Sequence, residues 1–129
     1  RRDKTRLKNA EAGIIRKMPV AREAAIQMSI LEYLRLMRIF AWRTNSTGIP
    51  IWGQAGEFRG MRPGTMVGVS DILGVLPGGR LLAIEVKANT GRITEAQDSF
   101  LEAVNAAGGV GFVARSVDDV IHNLKVAGF

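Results

Sequence analysis

Two apolar segments joined by a tight turn constrain the fold of this chain more than any other feature. Segments 69–76 and 81–88 are rich in Val, Ile and Leu, and Pro-Gly-Gly stands between them at 77–79. This pattern predicts a β-hairpin. Because side chains alternate across a strand, we expect Glu85 and Lys87 on one face of the second strand and its apolar residues on the other.

The residues around this hairpin predict helices and further strands. Helical spacing of apolar residues predicts a helix over 20–39, and a short strand over 40–45 follows. Capping boxes at Thr94–Gln97 and Ser116–Asp119 begin two more helices, with a strand over 110–114 between them. The order is α-β-β-β-α-β-α, and a helix crossover makes the last two strands parallel. We therefore predict an α/β fold with a mixed β-sheet flanked by helices.

A glycine-rich stretch over 46–68 is predicted to be a long loop. It contains six glycines and two prolines and has little periodicity. Loops of this length inside a small domain are usually functional. Arg59 and Arg62, with Trp52 and Phe58 nearby, predict a surface for phosphates and bases. The alternative is a connector whose arginines only face water.

Composition bounds the class of protein. At 129 residues the chain fits one compact domain, and no apolar run is long enough to span a bilayer. We expect no membrane partner. The absence of cysteine excludes disulfides and thiolate zinc sites, and it is consistent with a cytoplasmic location.

The positive charge is concentrated at the N-terminus. Residues 1–17 carry a net charge of +5, whereas residues 18–129 carry +1. A basic arm on a nearly neutral body predicts contact with phosphate backbones. One alternative is a solubilising or disordered tail. Another is binding to an anionic membrane surface, although the arm has no aromatic or leucine-lined face.

Three charged residues stand in the two apolar hairpin segments. Asp71 enters the first strand, and Glu85 and Lys87 lie in the second. Burying such charges is costly unless they are paired or bound to a metal. Two carboxylates beside a lysine suit Mg²⁺ or Mn²⁺ and an activated water. The alternative is a cross-strand salt bridge on an exposed sheet face.

A shared metal sets a condition on the hairpin turn. Asp71 and Glu85 must then point to the same sheet face, yet a two-residue loop at 78–79 would place Asp71 opposite Val86. We therefore predict an odd-length turn, such as a three-residue loop, or a β-bulge.

The order of helix Glu, strand Asp, strand Glu-x-Lys and helix Gln resembles the PD-(D/E)XK nuclease superfamily. The residues of these motifs are similar to those of its VRR-NUC branch, over about residues 20–118. The segments that carry the resemblance are 42–46, 68–72, 79–87 and 91–97. The resemblance implies a restriction-endonuclease-like fold, a nuclease domain over 18–129 behind the arm 1–17, and Mg²⁺- or Mn²⁺-dependent cleavage of DNA. Ser70 stands where the superfamily often has proline.

The same resemblance implies roles for the charged residues of the hairpin. Asp71 and Glu85 would be metal ligands, with the backbone carbonyl of Val86 as a third oxygen. Lys87 would hold the attacking water or stabilise charge that develops on the phosphate.

Two helical residues complete the implied catalytic set. Glu23 would reach the metal through water, and the alternative is a solvated carboxylate near a helix start. Gln97 would lie near the site, but as the N3 residue of a capping box it can also fold back on the backbone.

Basic and polar residues beside these elements are candidates for DNA contacts. Each of them can instead be a solvated charge. They are Arg43, Asn45, Arg59, Arg62, Arg80 and Arg92. His122, the single histidine, is interpreted as structural or exposed.

The resemblance implies an endonuclease for branched DNA, in the manner of the Holliday-junction resolvases of DNA repair. The small stand-alone members implied by the resemblance come from phages and bacteria, so the expected location is the cytoplasm of a bacterium or a phage-infected cell. Symmetric cutting of a junction predicts a homodimer, with apolar contacts around Trp42, Ile49, Ile51 and Trp52 or on the first helix. The alternatives are a monomeric flap- or end-processing nuclease and a non-cleaving DNA-binding module.

Overall fold

The computed structural model describes residues 19–44, 49–62 and 66–129. Its helices and strands alternate in a mixed order along the chain. They are α1 (Pro19–Leu36), β1 (Phe40–Arg43), β2 (Ile49–Trp52), β3 (Phe58–Arg62), β4 (Ile72–Val75), β5 (Leu81–Val86), α2 (Glu95–Ala106), β6 (Val110–Ala114) and α3 (Val117–Val126). None of the helices in these ranges has the length and apolar character needed to cross a bilayer.

The main sheet has four strands in the order β1-β4-β5-β6. β1, β4 and β5 pair antiparallel, whereas β5 and β6 pair in parallel. The parallel pair confirms the crossover that the sequence predicts, because α2 joins the two strands on one face. The fold is thus α/β, with a mixed sheet flanked by three helices.

The two faces of β5 contact different helices. Ile84 packs with Ile30 of α1 and Val120 of α3 in the larger core. Ala83, on the opposite face, packs with Leu101 and other apolar residues of α2. Alternation along the strand therefore places Glu85 on the α2 face of the sheet.

The turn between β4 and β5 has the odd length that a shared site requires. Ile72 pairs with Ile84, and the Leu76 N–H donates to the Arg80 carbonyl at 2.8 Å, which closes a three-residue loop over 77–79. The prediction of an odd-length turn is confirmed. One step before Ile72, this register places Asp71 opposite Glu85.

The prediction of a long loop over 46–68 is wrong for residues 49–62. The structure forms a second hairpin there, in which β2 and β3 pair antiparallel. The glycines mark the turn and an irregularity of this hairpin, since Gly56 has φ of 83° and Gly60 has φ of 126°. The observed order is α-β-β-β-β-β-α-β-α, and the predicted order lacks these two strands.

Other boundaries differ by a few residues from the prediction. The first helix ends at Leu36 rather than at 39, because Arg38 adopts a left-handed conformation with φ of 58°. The first strand ends at Arg43. The basic arm 1–17 and Asn45 lie outside the described residues.

Candidate active site

Asp71 and Glu85 face each other across neighbouring strands of the main sheet. The β4–β5 register puts them opposite one another on the face that contacts α2. The Asp71 Oδ2 atom accepts a hydrogen bond from the Val86 backbone N–H at 2.9 Å. This bond fixes the carboxylate of Asp71 against the strand that carries Glu85.

Glu85 is a buried carboxylate with one satisfied and one free oxygen. Only 2% of the surface of Glu85 is exposed. The Gln97 Nε2 group donates to its Oε1 atom at 2.9 Å, and the Lys87 Nζ atom lies 3.8 Å from the same oxygen. The Oε2 atom is buried and has no hydrogen-bond partner among the residues that the structure describes. A buried polar atom without a partner is costly and calls for an explanation, such as a bound ion.

The electrostatics of the pair point the same way. Burial raises the pKa of Glu85 to about 8, the nearby Asp71 carboxylate also raises it, and Lys87 lowers it. Two carboxylates held together in a dry place repel each other. A divalent cation would relieve this repulsion and engage the free oxygen, so the donor set fits Mg²⁺ or Mn²⁺.

The candidate metal site has only the two carboxylates of Asp71 and Glu85 as charged ligands among the described residues. Across residues 19–44, 49–62 and 66–129, no three or more His, Cys, Asp or Glu side chains are grouped closely enough to hold a metal. The side chains alone therefore do not make a closed metal cage of the kind seen in structural sites.

Gln97 combines both interpretations of its role. Its backbone N–H donates to the Thr94 Oγ1 atom at 3.2 Å, and its Oε1 atom accepts from the Thr94 N–H at 2.9 Å. The predicted capping box is therefore confirmed. The amide nitrogen remains available for Glu85. One side chain thus ties the start of α2 to the buried carboxylate.

Glu23 reaches the end of β5 from the opposite layer. It is half-buried, and its Oε1 atom accepts from the Ala88 N–H at 3.4 Å. Gly91 lies close by, since a Cβ atom there would be 3.4 Å from both the Glu23 carboxylate and the Lys87 side chain. The structure therefore brings Glu23 next to Lys87. A water-mediated role at the metal stays a prediction.

Two residues at the site were missed by the sequence analysis. The Thr44 hydroxyl donates to the Ser70 carbonyl at 2.7 Å, and the Thr44 N–H donates to the Asp71 carbonyl at 2.8 Å. Arg115 Nη1 donates to the Ala88 carbonyl at 2.6 Å. Both hold the backbone beside a charged residue.

A sequence signal existed for one of these two residues. Arg115 directly follows the strand that the crossover rule makes parallel to β5, so register alone could have placed it near Lys87. Thr44 lies in segment 42–46, which carries the family resemblance, but its contacts cross 26 and 27 residues, so the local sequence assigned it no role.

The candidate DNA contacts are spread over the surface. Arg43 is exposed at the end of β1, one residue before Thr44, and Arg92 is exposed beyond the turn at 88–91. Arg80 lies at the far end of β5, roughly 17 Å from Glu85 by strand rise. There it donates to the Gly108 carbonyl at 2.8 Å.

The remaining candidates lie away from the carboxylate pair. Arg59 and Arg62 are on β3, and Arg59 pairs with Glu57 at 3.1 Å. His122 is exposed on α3, as expected of a structural or exposed residue.

Comparison with known families matches the chain to one domain type. A model of the VRR-NUC domain matches residues 52–118, about half of the chain. The match includes Asp71, Glu85, Lys87 and Gln97, whereas Glu23 lies before it. No curated protein and no solved structure matches the chain.

Proposed function

Since the chain belongs to the VRR-NUC domain family, we propose that it is a Mg²⁺-dependent endonuclease for branched DNA. A VRR-NUC domain implies a nuclease-type function on DNA. One observation supports the proposed metal dependence. Glu85 is buried opposite a second carboxylate and keeps one oxygen without a partner.

The proposed metal ligands are the carboxylates of Asp71 and Glu85, with the Val86 backbone carbonyl as a third oxygen. Mn²⁺ is expected to substitute for Mg²⁺, because both prefer oxygen ligands. When bound, the ion would lower the pKa of a water molecule and polarise a phosphate oxygen. Solvent would complete the coordination shell.

The protein's own side chains position and stabilise the reacting groups. Gln97 holds one oxygen of Glu85 and leaves the other free. Lys87, whose side chain is 14% exposed, presents its ammonium at the rim of the site. From there it can hold the attacking water or donate hydrogen bonds to charge that develops on the phosphate.

Glu23 and the basic residues extend the site toward the nucleic acid. Glu23 lies beside Lys87 and is proposed to reach the metal through water. The proposed backbone contacts are Arg43, Asn45, Arg59, Arg62, Arg80 and Arg92, with the arm 1–17 adding charge. Such contacts position a duplex without reading its sequence.

A four-way junction is the proposed substrate, by the resemblance to small resolvase-like members of the family. Paired cuts in a junction need two active sites, so the proposal includes a homodimer. Exposed apolar residues, among them Met28 on α1 and Trp42 on β1, are available as contact area.

The test compares cleavage of four end-labelled DNAs, each with Mg²⁺, with Mn²⁺ and with EDTA. They are a four-way junction, a 5′ flap, a plain duplex and a single strand. Lys87→Ala should abolish cleavage, whereas Lys125→Ala, at an exposed lysine on α3, should leave it unchanged.

Paired symmetric cuts in the junction that EDTA abolishes are the expected result. Cleavage of flaps but not junctions would replace the resolvase proposal with a flap- or end-processing nuclease. Tight binding without cleavage under either metal would make the protein a DNA-binding module on this fold.

A further inference from the structure

The β2–β3 hairpin lies in the chain between two segments that meet at the candidate active site. Thr44, which precedes it, binds the carbonyls of Ser70 and Asp71, which follow it. Hydrogen bonds therefore join the two ends of the chain segment between these residues, beside the Asp71 carboxylate. DNA held at the carboxylate pair would lie at the root of the hairpin.

An irregularity in the hairpin brings two aromatic residues opposite each other. Ile51 pairs with Gly60, but Trp52 pairs with Phe58, so Arg59 is an extra residue on β3. Gly60 has φ of 126°, which glycine tolerates best. Without this bulge Arg59 would stand opposite Trp52. The bulge instead pairs the rings of Trp52 and Phe58 edge to face, with centroids 5.5 Å apart.

The pairing gives the hairpin one wholly apolar face. Alternation places Pro50 and Met61 on the same face as Trp52 and Phe58, and we call these four residues the aromatic face. Trp52 is 61% exposed and Phe58 is 58% exposed. Ile49, Ile51 and Arg62 lie on the other face.

We propose that the aromatic face stacks on unpaired bases at the branch point of the DNA, an inference that rests on the proposed function. Base–aromatic stacking is tolerant of sequence, because every base has a π-face. The hairpin carries Arg59 and Arg62 against one carboxylate, Glu57, which is paired with Arg59. Its net charge is therefore positive and complements a phosphate backbone.

A second copy of the chain fits this face less well than DNA. The exposed area of the four side chains is roughly 400 Å², from the usual size of aromatic side chains. A stable dimer buries about 800 Å² per partner. In a twofold contact the patch would also meet itself, and the arginines of two positively charged chains would approach each other.

The length of the chain limits where the aromatic face can act. Trp52 is eight residues from Thr44, and an extended chain spans at most about 3.6 Å per residue. The face therefore lies within about 29 Å of Thr44, which is hydrogen-bonded to Asp71, or about eight base steps along a duplex. The unpaired bases that it contacts must be this close to the cleaved phosphate.

The test uses a four-way junction with 2-aminopurine at the branch point, bound to the Lys87→Ala protein so that the DNA stays intact. In this protein we compare Trp52→Ala/Phe58→Ala with Ile49→Ala/Ile51→Ala, a matched change on the other face. The measurements are the change in 2-aminopurine fluorescence on binding, the affinities for junction and duplex, and the mass by sedimentation.

The aromatic variant should lose the fluorescence change and bind the junction at least five-fold more weakly, with duplex affinity unchanged. The isoleucine variant should keep both signals. If the alanine variant does not fold, Phe58→Leu, which keeps an apolar side chain without a ring, should still lose the fluorescence change.

Equal effects of the two variants, or an unchanged fluorescence signal, would overturn the proposal. A halved mass of the aromatic variant would show instead that the face joins two copies of the chain. Cleavage by the protein that retains Lys87 is scored separately. Cleavage without the stacking signal refutes only this inference, and the stacking signal without cleavage refutes only the proposed function.

Discussion

The two hairpins of this protein place opposite kinds of residue in unusual surroundings. The β4–β5 hairpin is enclosed by helices on both faces and buries a carboxylate, Glu85. The β2–β3 hairpin forms a separate two-stranded sheet and exposes aromatic rings. Carboxylates are usually exposed, and large exposed apolar patches usually mark binding sites. Each hairpin departs from the common pattern at the residues that we assign to function.

The comparison teaches how the surroundings of a side chain change what it can do. Burial raises the pKa of Glu85 to about 8, chiefly through desolvation and also through Asp71. The same burial strengthens the attraction between the carboxylates and a bound cation, compared with a solvated surface. In the exposed hairpin the rings of Trp52 and Phe58 contact each other and leave most of their area free for a partner.

The largest expected effect on stability separates two glycines with the same backbone angle. Gly68 and Gly56 both have φ of 83°, but only Gly68 faces neighbouring atoms, where a methyl group would overlap the Ala96 carbonyl. Gly68→Ala should lower the free energy of unfolding by about 3 kcal/mol and reduce cleavage, since it displaces the segment before Asp71 from α2. Gly56→Ala should cost about 1 kcal/mol. Urea denaturation of both variants measures the difference, and equal costs would contradict the account.

The next effect concerns pH. The raised pKa of Glu85 means that the folded protein binds a proton more tightly than the unfolded chain does. The free energy of unfolding of the metal-free protein should therefore fall, by about 1–3 kcal/mol, as pH rises from about 5 to about 8. Glu85→Gln should remove most of this fall, whereas Glu102→Gln, at an exposed position on α2, should not. Denaturant titrations in EDTA across this range supply the measurement.

Much of this site follows from local rules. The odd-length turn followed from strand parity on the condition that Asp71 and Glu85 share a metal, and the capping box at Thr94 followed from residue spacing. The second hairpin was missed because its glycines read as loop signals, although Gly56 and Gly60 only mark its turn and its bulge. A bulge depends on cross-strand pairing, which local sequence does not specify.

The remaining features of the site arise only in three dimensions. Gln97, on the next helix, donates to one oxygen of Glu85 and leaves the other oxygen free. Arg115 reaches Ala88 across 27 residues. The contact of Gln97 depends on how α2 packs on the sheet, which local sequence patterns do not specify. The position of Arg115 follows only once the β5–β6 register is known.

A smaller effect is expected at Arg115, which acts as a positioning residue. Its guanidinium holds the Ala88 carbonyl just beyond Lys87. Arg115→Ala should lower kcat about ten-fold and leave KM for DNA nearly unchanged, because the Lys87 ammonium loses its fixed position. Arg115→Lys should restore part of kcat. Arg35→Ala, which removes an exposed ion pair with Glu32, should change neither constant. A rise in KM alone would instead make Arg115 a DNA contact.

The smallest effect on stability is expected for a glutamate-to-glutamine change in the exposed hairpin. Glu57 pairs with Arg59 at 3.1 Å, and both side chains are about half exposed or more. Glu57→Gln should change the free energy of unfolding by less than about 0.5 kcal/mol, because solvent screens such pairs. A larger change would show that the exposed hairpin packs more firmly than its surface indicates.

The central claim is that Asp71 and Glu85 form a divalent metal site, and calorimetric titration of Mn²⁺ tests it most directly. The wild-type protein at pH 8 should bind Mn²⁺ and release protons, since the ion displaces the proton that Glu85 holds. Glu85→Gln and Asp71→Asn should each weaken binding at least ten-fold, and Glu102→Gln should bind like the wild type. Equal binding by wild type and Glu85→Gln, or no binding by either, would contradict the account.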